Sequence, residues 1–350
     1  MDSKESSQQV ESKKNENWVT KTLDFMYKNV VWIALGIAIL AYIGLAFPAY
    51  STKLQGSDDR IGVYAASILG AQGYAFDPWI LISWILPVVG VVLGCFHRKN
   101  KQFTSAAMMV LLLAGVMLII GKDFFNNSSA SIIKTEKTEY AFGGIFPAVC
   151  CFMGSLLCLI GGYENDSYST MDLVESGMLV GLAVVLNFIK LPIQVEGSVN
   201  FQMLPLFILA LRKGPLKGFI GAGIVFGIIT CFTDGYGLYL YPFDYLVAFG
   251  ACAIMGFFKP LILGKDQTGY NIKGEIWILV GGILSTAMRF VGHCVSSIVF
   301  FGLDVPGALI YNAAYVFISG GIALAVLMAM YGPLVKVNLY FNDRAIKRIN

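Results

Sequence analysis

Long apolar runs alternate with short polar segments along almost the whole chain. A helix rises 1.5 Å per residue, so about 20 apolar residues match a hydrocarbon core of about 30 Å. The runs predict about ten helices, over 30–47, 79–96, 104–121, 141–161, 173–190, 201–211, 218–233, 242–258, 275–298 and 307–331. The sixth is short and reads as partly re-entrant or strongly packed. No small-residue cleavage site follows the first run, which reads as a transmembrane helix rather than a cleaved leader. The polar stretch "GYENDSYSTMD" at 162–172 separates four spans from six. The expected fold is therefore an all-α membrane protein with four N-terminal helices and a six-helix bundle. Its expected divisions are a cytoplasmic tail (1–29), a four-helix membrane module (30–165), a six-helix domain (170–335) and a basic cytoplasmic tail (336–350).

Composition agrees with this pattern and removes other classes. Of the 350 residues, 57% are hydrophobic and 13% charged, against about 25% charged in soluble domains. Mean hydropathy is +0.69. Of the 25 Lys and Arg residues, 18 fall in the tails and loops on the side of the N-terminus and five in the opposite loops. The positive-inside rule then puts both termini in the cytoplasm of a multi-pass cell-membrane protein. The acidic 162–172 loop adds nothing to that count.

The seven Cys form no C-x-x-C pair, and two His provide no metal-ligand spacing, so neither metal nor cofactor is expected. No phosphate-binding loop, nucleophile elbow, zinc-protease or dinucleotide motif occurs, so no catalytic residue is assigned and an enzyme is not expected. The basic residues track membrane sidedness, which leaves lipid as a partner and gives nucleic acid no support.

Ionisable groups inside membrane helices are costly and usually face a protein interior or a cavity. Asp244, Arg289 and His293 are such groups, and Arg289 and His293 share a helix face at spacing i, i+4. With Asn312 they fall at one depth near the outer ends of three helices. Tyr236, Tyr239, Tyr241, Tyr245, Phe300 and Phe301 surround them in sequence. The set reads as an outward-facing pocket for a small, flat, polar or cationic ligand, since aromatic faces attract cations. Plainer readings stand beside this one: an interfacial carboxylate, an Asp244–Arg289 ion pair, a packed histidine and an aromatic belt. Gly177 and Gly181 form a small-x-x-x-small spacing that allows close helix approach.

Three segments carry a resemblance: "FIKLPIQVEGSVNFQMLPLFILALRKGPLKG" (188–218), "YPFDYLVAFGACAIMGFF" (241–258) and "MRFVGHCVSSIVFFG" (288–302). In order and spacing they resemble the thiamine-specific S component of energy-coupling factor (ECF) vitamin transporters, over roughly residues 173–335. The resemblance implies a six-helix protein that captures thiamine or a close relative from outside. It also implies partners: a membrane coupling subunit, packed on Gly177 and Gly181, and two cytoplasmic ATPases. The family's acidic ligand residue falls on Asp244, its neighbouring Tyr on Tyr245, its histidine on His293 with Arg289 one turn before, and its Asn on Asn312. The family's Trp position holds Phe301, and Tyr236 lies in a loop about two residues short. The exact vitamin and the role of residues 1–165 stay open. A membrane sensor or scaffold with a vestigial pocket remains the alternative.

Overall fold

The computed structural model describes residues 21–54, 59–65, 76–127, 135–165, 167–192, 198–264 and 272–337. The expected tails lie largely outside the described residues. The chain divides into two units, Met1–Asn165 and Asp166–Asn350.

Four long helices build the first unit: α1 (Val30–Leu40, continued by a 3-10 segment Ala41–Ala46), α2 (Pro78–Cys95), α3 (Gln102–Asn127) and α4 (Phe142–Asn165). Asp77 starts α2 by accepting from the backbone N–H of Trp79 (2.8 Å) and Ile80 (3.3 Å), with Pro78 in the first turn. Small residues line the packed faces. Ala34, Ala38, Ala107, Ala114 and Ala148 are all fully buried, which lets helices approach closely where lipid supplies no hydrophobic drive.

The loops of this unit contain something the apolar pattern did not announce. Strands β1 (Tyr50–Leu54), β2 (Arg60–Val63) and β3 (Thr135–Tyr140) form an antiparallel sheet in the order β2-β1-β3. Thr52 faces Thr138 with hydroxyl oxygens 3.2 Å apart, both side chains buried, and Tyr50 faces Tyr140. Arg60 and Glu139 pair across the exposed side, and the carboxylate raises the guanidinium pKa above its ordinary value. Nothing in the sequence pattern marks these strands, because they are short and one partner lies 86 residues away. The spans are helical, as expected of an all-α membrane protein, and this small sheet lies in the segments between them.

The second unit contains α5 (Thr170–Phe188), α6 (Met203–Lys213), α7 (Pro215–Asp234), α8 (Leu238–Leu263), α9 (Ile272–Phe301) and α10 (Val305–Ala329). A two-stranded hairpin, β4 (Leu191–Pro192) and β5 (Ser198–Val199), joins α5 to α6. Ser169 and Asp172 form a reciprocal capping box that starts α5. Asp172 also accepts from Lys213 (2.8 Å) and Lys217 (3.0 Å), while Glu175 pairs with Lys213 (2.6 Å) and Arg212. The basic residues of the α6–α7 corner are thus matched by the acids that open α5.

Among the described residues, eight helices are long and apolar enough to cross a membrane, and a ninth if the bent pair Lys21–Lys28 and Val30–Ala46 is one span. The protein is a multi-pass membrane protein. The expected sixth span is the exception: α6 has 11 residues, about 16 Å of helix against a core of about 30 Å. It is a short helix buried almost all round.

Neither α7 nor α8 is regular. Each contains a π-helical stretch, Ile220–Phe226 in α7 and Tyr241–Val247 in α8, and α8 tightens to a 3-10 helix over Ala251–Phe258. Close backbone approach needs glycine at Gly256. An added Cβ there would lie 2.5 Å from the Pro215 nitrogen and 2.6 Å from the Gly214 carbonyl carbon. Gly256→Ala is expected to destabilise the protein by about 1–3 kcal/mol. Thermal unfolding in detergent checks this, and an unchanged midpoint would contradict it.

Candidate ligand-binding site

The turn between α7 and α8 reads Asp234-Gly235-Tyr236-Gly237. Both glycines have left-handed backbone, φ 77° and 103°, which holds Tyr236 between them at the tip. The π-helical stretch that follows places Asp244 and Tyr245 side by side at the start of α8. On α9, residues 289, 293 and 296 recur at spacings of four and three and so share one face.

That face meets Asp244. Arg289 donates from Nε to His293 Nε2 at 3.2 Å. His293 Nε2 is therefore an acceptor, and the ring proton sits on Nδ1. Nδ1 lies 2.9 Å from Asp244 Oδ1 and donates to it. Ser296 donates to the other carboxylate oxygen, Oδ2, at 2.7 Å. The carboxylate is thereby fixed at both oxygens, each of which keeps a free lone pair. Its charge is answered by Arg289 through a neutral imidazole. Arg289 is 2% exposed, lies over the Phe249 ring with Cζ 4.9 Å from the centroid, and leaves Nη1 without a protein partner.

Asn312 belongs to the same assembly one step removed. Its Nδ2 donates to Ser297 Oγ (2.9 Å) and the Ala308 carbonyl (2.8 Å), and its Oδ1 accepts from Tyr315 (2.8 Å). Both amide hydrogens are committed, so one acceptor lone pair is all it can offer a ligand. The Tyr315 ring also packs edge-on to His293 at 5.7 Å.

The remaining expected residues part company with this chain. Tyr245 is buried, and its hydroxyl turns to Asp234 Oδ2 at 3.3 Å. Tyr236 and Phe301 are 61% and 54% exposed and meet each other edge to face at 6.5 Å. Gly177 and Gly181 lie on an exposed face of α5, where an added Cβ at either would touch nothing within 4 Å. Sequence reasoning missed Ser296, Tyr315, Phe249 and Asp234. The i+3 step from His293 to Ser296 was the available signal.

Residues 173–341 match the family model described as Thiamine transporter protein (Thia_YuaJ). The C-terminal half of this chain is thiamine-transporter-like. The thiamine transporter ThiT of Bacillus subtilis (strain 168) is 28% identical to it over 194 residues, spanning 49% of this chain and 97% of the relative. ThiT of Lacticaseibacillus paracasei is 25% identical over 163 residues, spanning 43% of this chain and 79% of the relative. A solved structure of ThiT from Listeria monocytogenes aligns with a TM-score of 0.39 and 23% identity, covering 47% of this chain and 97% of that one. Every site residue described above falls within the thiamine-transporter-like segment, and α1 to α4 lie outside it.

Proposed function

We propose that residues 170–335 form the substrate-binding S component of a vitamin transporter of the energy-coupling factor type, with thiamine or a close relative as its ligand. The observation that carries this reading is the fixed, neutralised carboxylate of Asp244, set inside a segment that matches thiamine transporters. Thiamine joins an aminopyrimidine to a thiazolium ring with a permanent positive charge. The amino group is a donor suited to the free lone pairs of Asp244. The ring nitrogens are acceptors suited to a buried donor such as Arg289 Nη1. Tyr236 and Phe301 supply aromatic faces at the exposed end of the site.

The reading extends to topology and partners. Both termini lie in the cytoplasm, and the ligand enters from outside. The chain carries no phosphate-binding loop, so energy comes from two cytoplasmic ATPases through a membrane coupling subunit. The bare face at Gly177 and Gly181 suits close packing against a helix of that subunit. The protein acts as a carrier, not an enzyme. Residues 30–165 form a membrane module of their own.

Calorimetry with thiamine on purified full-length protein, stripped of copurified ligand, tests the proposal. Saturable one-site binding is expected. A folded sample that binds neither thiamine nor its pyrimidine precursor would overturn it.

A further inference from the structure

The half-buried carboxylate of Asp244 is already matched. Asp244 is linked to Arg289 through His293, so its end of the site carries no net charge. A second carboxylate stands near it, on the far side of Tyr245. Tyr245 follows Asp244 in the chain, and its hydroxyl donates to Asp234 Oδ2 at 3.3 Å. The other oxygen of Asp234 faces Lys190 Nζ at 3.4 Å. That separation is long against about 2.7–2.9 Å for a strong charged hydrogen bond. The lysine side chain is 46% exposed and the aspartate 23%. Asp234 is thus a partly exposed carboxylate paired at long range with an exposed lysine. It also opens the glycine turn that presents Tyr236, whose ring meets Phe301. A carboxylate two residues from an exposed tyrosine, whose ring meets a second exposed aromatic ring, offers chemistry that receives an organic cation.

We propose that Asp234 is the subsite for a permanently charged part of the ligand, and that Lys190 holds this place until a cationic ligand displaces it. The inference rests on the function proposed above and divides the ligand between two carboxylates. Asp244 takes a neutral hydrogen-bonding edge, and Asp234 with Tyr236 and Phe301 takes the fixed charge. Lys190 follows the end of α5, so its release also loosens a tie between α5 and α7.

Two probes separate the roles: thiamine, and the neutral pyrimidine 4-amino-5-hydroxymethyl-2-methylpyrimidine. Both are titrated calorimetrically into full-length wild type, Asp234→Asn and Lys190→Gln. Asp234→Asn keeps an acceptor for the Tyr245 hydroxyl and removes only the charge. It is expected to weaken thiamine about tenfold, the scale of one partly screened charge pair, and to change the pyrimidine less than about twofold. Lys190→Gln is expected to tighten thiamine several-fold by removing the resident cation and to leave the pyrimidine unchanged. Equal weakening of both probes by Asp234→Asn, or no weakening of thiamine, overturns the subsite. Weaker thiamine binding in Lys190→Gln overturns the displacement. Wild type that binds neither probe overturns the proposed function and this inference together, so the two failures are distinct.

Discussion

Asp244→Ala is expected to weaken thiamine binding by about a hundredfold or more, because removing one partner of a buried charge pair costs about 3–5 kcal/mol. The geometry gives three reasons for so large an effect. The ligand loses its acceptor. His293 loses the acceptor for its Nδ1–H, and with it the restraint on its tautomer. Arg289, 2% exposed, is left as a buried cation with no carboxylate at the other end of the imidazole. Part of the loss will appear as lower stability, so Asp244→Asn is measured beside it. The asparagine keeps an acceptor for His293, and Ser296 can rotate to accept from its amide. Asp244→Asn should therefore unfold close to the wild-type temperature while still binding thiamine far more weakly. Wild-type affinity in either variant would remove Asp244 from the site.

Gly177→Leu and Gly181→Leu are expected to produce the opposite pattern, with binding intact and uptake lost. A leucine at either position enters open space on α5, since no atom lies within 4 Å of the added Cβ. The fold has nothing to resist, and a leucine favours the helix over glycine by about 0.5–1 kcal/mol. A helix of the coupling subunit packed on that face would be pushed away by the same side chain. Calorimetry on the variants should match wild type, while vitamin uptake by cells that contain the coupling subunit and ATPases should fall to background. Normal uptake with both leucines would show that the partner docks elsewhere. Loss of binding would place the glycines in the ligand site instead.

The spans were legible because lipid imposes a length and an apolar composition that few other environments demand. The shortness of the sixth run already set it apart as partly re-entrant or strongly packed, and α6 is a short helix buried in protein. The buried chain was legible in outline from depth, since Asp244, Arg289 and His293 are too costly to leave in a membrane helix without partners. Its finer members were not. Ser296 and Ser297 are ordinary residues in membrane helices, and only the contact with Asp244 distinguishes one from the other. Asp234 carries no such mark in the sequence, since a carboxylate that ends a helix before a turn commonly meets water. Tyr245 was grouped with Asp244 because they are neighbours, yet its hydroxyl serves the other carboxylate. Phe301 and Tyr236 were expected in one pocket with the buried chain and instead meet each other at its exposed end. The sheet of the first unit depends on Thr52 meeting Thr138, a contact that no local pattern encodes.

The π-helical stretch Tyr241–Val247 sets which side of α8 carries Asp244. A wide turn of this kind holds one residue more than the α-helix it interrupts, and each residue of an α-helix advances the chain by about 100°. Loss of a single residue from the stretch would close it to an ordinary helix. Because the wide turn already absorbs that residue, the helix on either side would keep nearly its phase, and only the residues within the stretch would change the side they face. A one-residue deletion there would therefore re-aim Asp244 while the packing of the rest of α8 stays nearly in place. The direction in which Asp244 points depends on the count of residues between Leu240 and Ala248 as much as on their identities.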